Sequence, residues 1–435
     1  MKPAGPSAAR HVAFELLLAQ RQPGSTLDDL LARDEVEALP ARERSFLHEL
    51  VLGTLRRRGS LDYALRSCLS RPLESVQPGV REVLRLGAYQ VLFLRVPDRA
   101  AVSESVTLAS RHFPRAKGLV NAVLRRLARE GPPAWPRAEE DALAWLTSVG
   151  SLPRWLAQCW LTHLGPQTAL ARAQALLEPA PTFFRLNPRV PDVRQQLCRA
   201  GVTAEPVAVP GGWRLLSGAL QAPAALGLVY VQDQGSQLVA RVAAECGAPL
   251  LDACAAPGGK AAAAADILGS RALIVAAELS ARRRARMRGL LQRWGARHVH
   301  VVAADAGRPP FRGGFQTVLL DAPCSGLGTL ARHPDLRWSA TAADVTRQAR
   351  RQATLLRALA GQVAPGGRLV YATCSSEPEE NEQVIEAFRN SHPDYVPAPA
   401  PTWAGTFRSG PYLRTCPEVH GGDAFFASVL QRRRV

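Results

Sequence analysis

From residue 236 onward the chain alternates short, continuous apolar runs with stretches of helical spacing. That rhythm restricts the fold more than any other feature of the sequence. The runs are "APLLDAC", "RALIVAAEL", "RHVHVVAAD", "FQTVLLDAP" and "GGRLVYATC". Strands that are apolar on both faces belong in a parallel sheet covered on both sides. The intervening "SARRRARMRGLLQRWG" and "DVTRQARRQATLLRALAGQV" supply covering helices. The pattern predicts a doubly wound α/β sheet whose ligands bind beyond the carboxyl ends of the strands.

Those strand ends carry the chemistry. The first run leads into "DACAAPGGK", where Gly258 and Gly259 let backbone approach a ligand and the next helix offers its N-terminal amides. It is neither a GxGxxG dinucleotide turn nor a P-loop, since the first P-loop glycine is missing and Ala261 follows Lys260. The second run ends at Glu278, about 20 residues on, where an acid can hold both ribose hydroxyls. The third ends at Asp305 and the fourth at Asp321. Acids after successive strands suit a cofactor with a ribose, an adenine amine and an ammonium, so a nucleoside cofactor such as S-adenosyl-L-methionine is expected. Two thiols also stand at the run ends, Cys324 just beyond the fourth in "DAPCSG" and Cys374 closing the fifth in "YATCSSEPEEN".

Residues 8 to 130 have apolar spacing at three and four and no strand-like alternation, which predicts a helical bundle. Arg56 to Arg58, Arg115, Lys117, Arg125 and Arg126 are expected on its polar faces. A proline cluster in "EGPPAWPRAEED" marks a boundary near residue 135. A small mixed segment follows, with "TFFRLNP" and "GGWRLLSG" as strands and "DVRQQLCRAG" as a helix. At 435 residues two or three domains are expected. No apolar run approaches the roughly 20 residues that span a bilayer, and the N-terminal stretch reads as an amphipathic helix instead of an export signal. A cytoplasmic location with no membrane partner is the expectation.

The net charge of +17 calls for a polyanion, nucleic acid first. Lysine occurs only at Lys2, Lys117 and Lys260, so arginine supplies nearly all of the 54 basic residues. A lysine kept in such a chain is a candidate for a role that needs a compact ammonium. The eight cysteines contain no CxxC pair, which argues against a disulfide framework and a zinc site. Cys68, Cys159, Cys198 and Cys246 read as buried small hydrophobes.

"DACAAPGGK", "LLDAPCSGLGTLARHPDLRW" and "YATCSSEPEENEQVIEAF" resemble the RNA 5-methylcytosine methyltransferases of the RsmB/NOP2/Sun family, in its bacterial RsmB branch. The likeness runs from about residue 236 to the terminal "GGDAFFASVL". The N-terminal bundle, above all "AKGLVNAVLRRL", resembles a NusB-like RNA-binding domain. Together these imply a NusB-like domain over 1–135, a helical linker with a small α+β RNA-binding subdomain over 136–235, and a Rossmann-like class I methyltransferase domain over 236–435.

The resemblance implies methyl transfer from S-adenosyl-L-methionine to carbon 5 of a cytidine in small-subunit (16S) ribosomal RNA, by a monomer that uses no metal. Carbon 5 is too weak a nucleophile until a thiolate adds at carbon 6. The family pattern assigns that attack to Cys374 and help in product release to Cys324. Asp321 is expected at the cytosine ring nitrogen, at the cofactor, or both. The cofactor set is Cys254, Ala255, Ala256, Pro257, Gly258, Gly259, Lys260, Glu278, Arg283, Asp305 and Asp321, with Cys254 contributing backbone. Lys260 is expected to reach the cofactor or a carboxylate. Glu278 stands where Asp is usual, with Arg283 at the expected spacing. His333 and Asp335 form either a loop over the substrate or a plain structural turn, and Arg337 replaces an expected lysine. DNA cytosine methylation is disfavoured by the second thiol and the bundle. A non-catalytic RNA-binding assembly factor is disfavoured by the intact thiols and turn, and antitermination by the fusion to a methyltransferase.

Overall fold

A computed structural model describes residues 7–22 and 24–434. The chain divides into two compact units, one running up to Pro179 and including Leu330–Ser339, the other formed by Ala180–Thr329 and Ala340–Val435.

The first unit is helical. Its principal helices are Ala8–Ala19, Ala41–Arg56, Arg58–Cys68, Pro78–Phe93, Asp98–His112 and Lys117–Glu130. The last of these buries Val120, Val123, Leu124 and Leu127, one stripe at three and four spacing. That stripe joins Phe14, Leu47, Leu61 and Val83 in a single core. "ERSFLHELVLGTLRRRGSLDYALRSCL" forms two helices that break at Arg57. The basic residues also divide. Arg115, Lys117, Arg125 and Arg126 are exposed, as expected, whereas Arg56 is buried and Arg57 and Arg58 are half-buried. Burial, then the charge of Arg85, pushes the Arg58 guanidinium down to about 10. Among the remaining cysteines, Cys68 and Cys246 are buried, but Cys159 is half-buried and Cys198 is exposed.

The segment Leu330–Ser339 packs within this helical unit. Arg337 is fully buried, and its Nη1 donates to the carbonyls of Arg56 (3.1 Å) and Ser151 (3.4 Å). Its Nη2 donates to the Leu176 carbonyl at 2.6 Å, and Trp338 Nε1 donates to Leu55 at 2.8 Å. Asp335 is buried, and its backbone carbonyl accepts from the Trp338 and Ser339 amides. In this unit "RHPDLRW" therefore behaves as a structural turn whose arginine gathers backbone carbonyls.

The second unit holds two sheets. A four-stranded antiparallel sheet contains β1 (Phe183–Leu186), β2 (Thr203–Pro206), β3 (Gly212–Ser217) and β4 (Val229–Val231), in the order β2-β3-β1-β4. Among the described residues the larger sheet is nine-stranded. Its parallel part is β5 (Leu250–Asp252), β6 (Ile274–Ala277), β7 (Val299–Val302), β8 (Phe315–Asp321) and β9 (Val363–Thr373). The C-terminal strands β10 (Tyr395–Pro397), β11 (Arg408–Ser409), β12 (Tyr412–Thr415) and β13 (Phe425–Arg432) add antiparallel pairs, with β13 against β9. The sheet is mixed for this reason, since the apolar-run pattern shows only its parallel strands.

Alternation along the parallel strands loads two cores. Leu250, Leu319 and Val370 face one, with Leu238, Ala261, Met287 and Leu291 from the helices Gln234–Glu245, Gly259–Leu268 and Ala281–Trp294. Leu251, Val318, Leu320, Leu369 and Tyr371 face the other, with Leu355, Leu356, Leu359 and Ile385 from the helices Ala342–Ala360 and Glu382–Ser391. Side chains of period two thus bury both faces, as a doubly wound sheet requires.

Candidate active site

β8 and β9 are adjacent and parallel, with Asp321 opposite Ala372. The Ala322 amide donates to the Ala372 carbonyl at 2.8 Å, so the two chains leave the sheet side by side. Cys324 follows β8 by three residues and Cys374 follows β9 directly. Their Sγ atoms lie 3.3 Å apart. The approach depends on Gly328, whose amide donates to the Cys374 carbonyl at 2.9 Å. A Cβ on Gly328 would stand 2.1 Å from the Ala424 carbonyl and 2.7 Å from that of Cys374. The hydrogen bond with Cys374, then burial, raises the Cys324 thiol well above its ordinary range.

The glycine turn lies between β5 and the helix Gly259–Leu268. Gly258 has φ +109°, a conformation that favours glycine, and a Cβ on Gly259 would meet the Tyr230 ring at 2.6 Å. Lys260 rises from the first turn of that helix to Asp321, with Nζ 2.6 Å from Oδ2. Burial opposes the ammonium, but Asp321 and then Asp252 outweigh it and hold Lys260 above its usual range. Asp252, at the end of β5, is 1% exposed and both its carboxyl oxygens lack a hydrogen-bond partner among the described residues. Burial first, then the charge of Asp321, pushes this carboxyl up to about 7. Cys254 is pushed up to about 12 by burial, then by Asp252, which leaves its thiol protonated.

Glu278 follows β6 and is nearly buried. Its Oε1 accepts from the Ser280 amide at 2.8 Å, and its Oε2 lies 3.3 Å from Arg283 Nη1. Arg283 also donates to the Ala256 carbonyl at 3.2 Å, tying the second strand end to the turn Ala255–Pro257. Asp305 lies three residues past β7, exposed, and accepts from the Gly307 amide at 2.8 Å. The structure therefore brings Lys260, Asp321 and both thiols together and links Glu278 to the glycine turn through Arg283. Among the described residues Asp305 makes no hydrogen bond or ion pair with these groups.

Sequence reasoning missed several residues that shape this region. Arg185 on β1 donates to the Gly259 carbonyl (3.2 Å), Gln232 Oε1 (2.8 Å) and Asp266 Oδ2 (2.7 Å), bracing the glycine turn from behind. Asp252, the first residue of "DACAAPGGK", has no role assigned by the sequence reading. Glu380, within the acidic "SEPEEN", and Gln352, a polar residue in the buried stripe Val345, Gln352, Leu356, Leu359, carried faint signals.

A doubly wound sheet with a glycine turn after one strand and acids after its neighbours, joined in one chain to a helical bundle, defines a methyltransferase domain fused to a NusB-like domain. Comparison with known proteins agrees. The family described as "16S rRNA methyltransferase RsmB/F" matches residues 240–431, and the NusB family matches 7–129. A probable ribosomal RNA small subunit methyltransferase B of Bacillus subtilis is 32% identical over 98% of this chain and 99% of its own length. The ribosomal RNA small subunit methyltransferase B of Klebsiella pneumoniae is 32% identical over 98% of both chains. A solved methyltransferase homolog from Pyrococcus horikoshii is 27% identical, covers 65% of this chain and 96% of its own, and superposes with a TM-score of 0.55. The chain belongs to the RsmB/F family of 16S rRNA methyltransferases.

Proposed function

We propose that the protein methylates carbon 5 of a cytidine in small-subunit ribosomal RNA through a covalent adduct on Cys374. The observation that carries this reading is the pair of thiols 3.3 Å apart beside the Lys260–Asp321 pair. The names of its relatives supply the RNA class.

The Cys374 thiolate adds to carbon 6, forming the S–C6 bond and moving the C5–C6 double-bond electrons to carbon 5. The Lys260–Asp321 pair supports that addition by passing a proton through Asp321 to the ring nitrogen, which accepts but cannot donate. S-adenosylmethionine, when bound, supplies the electrophilic methyl group. Loss of the carbon 5 proton then re-forms the double bond and expels the Cys374 thiolate, a competent leaving group. Cys324, held as a thiol next to Cys374, assists this release. Lys260 keeps the Asp321 carboxylate in place and offsets negative charge at the strand ends.

The cradle fits that cofactor chemically. Gly258 and Gly259 leave room for backbone approach, Cys254 to Pro257 line the turn, and Glu278 suits the ribose hydroxyls. Asp305 suits the adenine amine, and Asp252, within reach of the charges of Asp321 and Glu278, adds to a site that favours a cationic ligand. The exposed arginines of the helical bundle would hold RNA phosphates, so binding should weaken steeply with salt. Among the described residues no helix is long and apolar enough to cross a membrane. A cytoplasmic site of action goes with the ribosomal substrate.

The test is incubation with unmodified small-subunit RNA and methyl-labelled cofactor, followed by mapping of the product. Label on carbon 5 of one cytidine is expected. No transfer, or label on another atom, overturns the reading.

A further inference from the structure

The carboxylate of Glu380 connects the two thiol loops, and nothing in the reaction scheme above uses it. It is fully buried, in the short turn Pro378–Glu380 that follows Cys374. Oε1 accepts from the Ser325 amide at 2.8 Å and from Gln352 Nε2 at 2.9 Å. Oε2 accepts from the Ser325 and Ser375 hydroxyls, both at 2.5 Å. Ser325 follows Cys324 and Ser375 follows Cys374, so one carboxylate grips the residue after each thiol. Gln352 also donates to the Pro323 carbonyl at 3.0 Å, which fixes the residue before Cys324. Asn381 completes the frame, donating to the Ser375 carbonyl at 3.0 Å and accepting from the Thr373 hydroxyl at 2.5 Å.

Four donors saturate an acceptor-only carboxylate, and none of them is a cation. A buried group of this kind is stringent, because losing any partner leaves a polar atom unpaired in a poorly solvated site. Separate side chains could have anchored the two loops. Sharing one carboxylate makes the position of each thiol depend on that of the other.

We propose that Glu380 is a positioning residue for the reaction: it clamps the exits of β8 and β9 so that Cys324 and Cys374 meet at reacting distance with distinct roles. The inference rests on the thiol chemistry proposed above. Cys324 is faced by Cys374, Glu380 and Tyr371, while Lys260 lies near Cys374. The Glu380 charge adds to the forces that keep Cys324 protonated, after the hydrogen bond with Cys374 and burial. The clamp thus leaves Cys374 to attack and holds Cys324 as the neighbouring thiol.

The experiment compares the full chain with Glu380→Gln, Glu380→Ala and the double variant Ser325→Ala/Ser375→Ala. Iodoacetamide alkylation of Cys324 and Cys374 is followed across pH by peptide mass spectrometry, without RNA or cofactor, and kcat and KM for RNA are measured separately. In Glu380→Gln the hydroxyls can turn to accept from the amide, so the tether persists while the charge is lost. The Cys324 alkylation midpoint should then fall by about one pH unit, or about tenfold in rate at a fixed pH below it. Glu380→Ala should lower the Cys324 midpoint similarly and reduce kcat by about 100-fold, with KM for RNA within about twofold. If Glu380→Ala does not fold, the serine double variant decides by the same readouts, with a kcat loss of about tenfold expected. Parental alkylation profiles and parental kcat in a folded variant overturn the clamp. Failure of the parent protein to methylate RNA would overturn the function instead, because the alkylation profiles are read without substrate.

Discussion

Each unit of the molecule holds a cation largely out of water, Arg337 fully buried and Lys260 half-buried, and the two are treated in opposite ways. Arg337 lies in the helical unit and spends its donors on the carbonyls of Arg56, Ser151 and Leu176. Among the described residues its charge has no carboxylate partner, and burial, then Arg56 and Arg57, pushes its guanidinium down to about 9. Lys260 lies at the strand ends of the other unit, paired with Asp321 and near Asp252, and its ammonium is held up. A buried cation that collects backbone carbonyls organises chain. A half-buried one that collects carboxylates at the mouth of a parallel sheet is proposed to organise chemistry. Planar, multi-donor arginine suits the first task and a compact ammonium the second.

Substitution should separate the two. Lys260→Met leaves Asp321 and Asp252 without their cation and should reduce methyl transfer by about 1,000-fold with little change in fold, a loss near that of other preorganised charges in active sites. Lys260→Arg should not restore it, since a guanidinium does not fit a site shaped for an ammonium. Methyl transfer within about tenfold of the parent in Lys260→Met would make Lys260 as structural as Arg337.

Arg337→Met should do the reverse. It strands three buried carbonyls, and a loss of about 3 kcal/mol in urea unfolding is expected, with methyl transfer per folded molecule unchanged. A large drop in kcat with parental stability would give Arg337 a part in the chemistry and erase the contrast.

A smaller effect comes from Asp252, whose folded value of about 7 lies above the ordinary 3.8. Below 3.8 neither the folded nor the unfolded chain carries this charge, so it makes no difference. As pH rises towards 7 the unfolded chain ionises first, and the folded state loses relative stability; above 7 the loss is complete. Asp252→Asn removes that penalty. It should leave stability unchanged at pH 4 and raise it by about 2 kcal/mol at pH 8, measured by denaturant titration. Equal stability of variant and parent at pH 8 would mean that the carboxyl is already neutralised by Lys260.

The sequence made the parallel sheet legible because residues such as Leu250 and Leu251, or Leu319 and Leu320, are apolar on both faces. It also placed Lys260, Asp321, Cys324 and Cys374 at strand ends, where adjacency of β8 and β9 brings the thiols together. The antiparallel addition of β13 was hidden, since nothing in "DAFFASVL" states which strand it pairs with. Glu380 was hidden for a different reason. An acid in a run of acids reads as a solvated surface, and only the fold turns it inward against Ser325, Ser375 and Gln352. The arginines at 56 to 58 look like one basic face, yet the helix break at Arg57 carries Arg56 into the interior. Which thiol attacks came from the resemblance to a family, because the two strand exits look alike in sequence.

Cys374 is proposed to form the bond to RNA, and Cys324 to help release it. Denaturing electrophoresis of Cys324→Ala and Cys374→Ala, each incubated with unmodified small-subunit RNA and S-adenosylmethionine, tests this assignment directly. A protein–RNA adduct that accumulates in Cys324→Ala, maps to Cys374 and is absent from Cys374→Ala is the predicted result. An adduct in Cys374→Ala, carried by Cys324, would contradict the assignment.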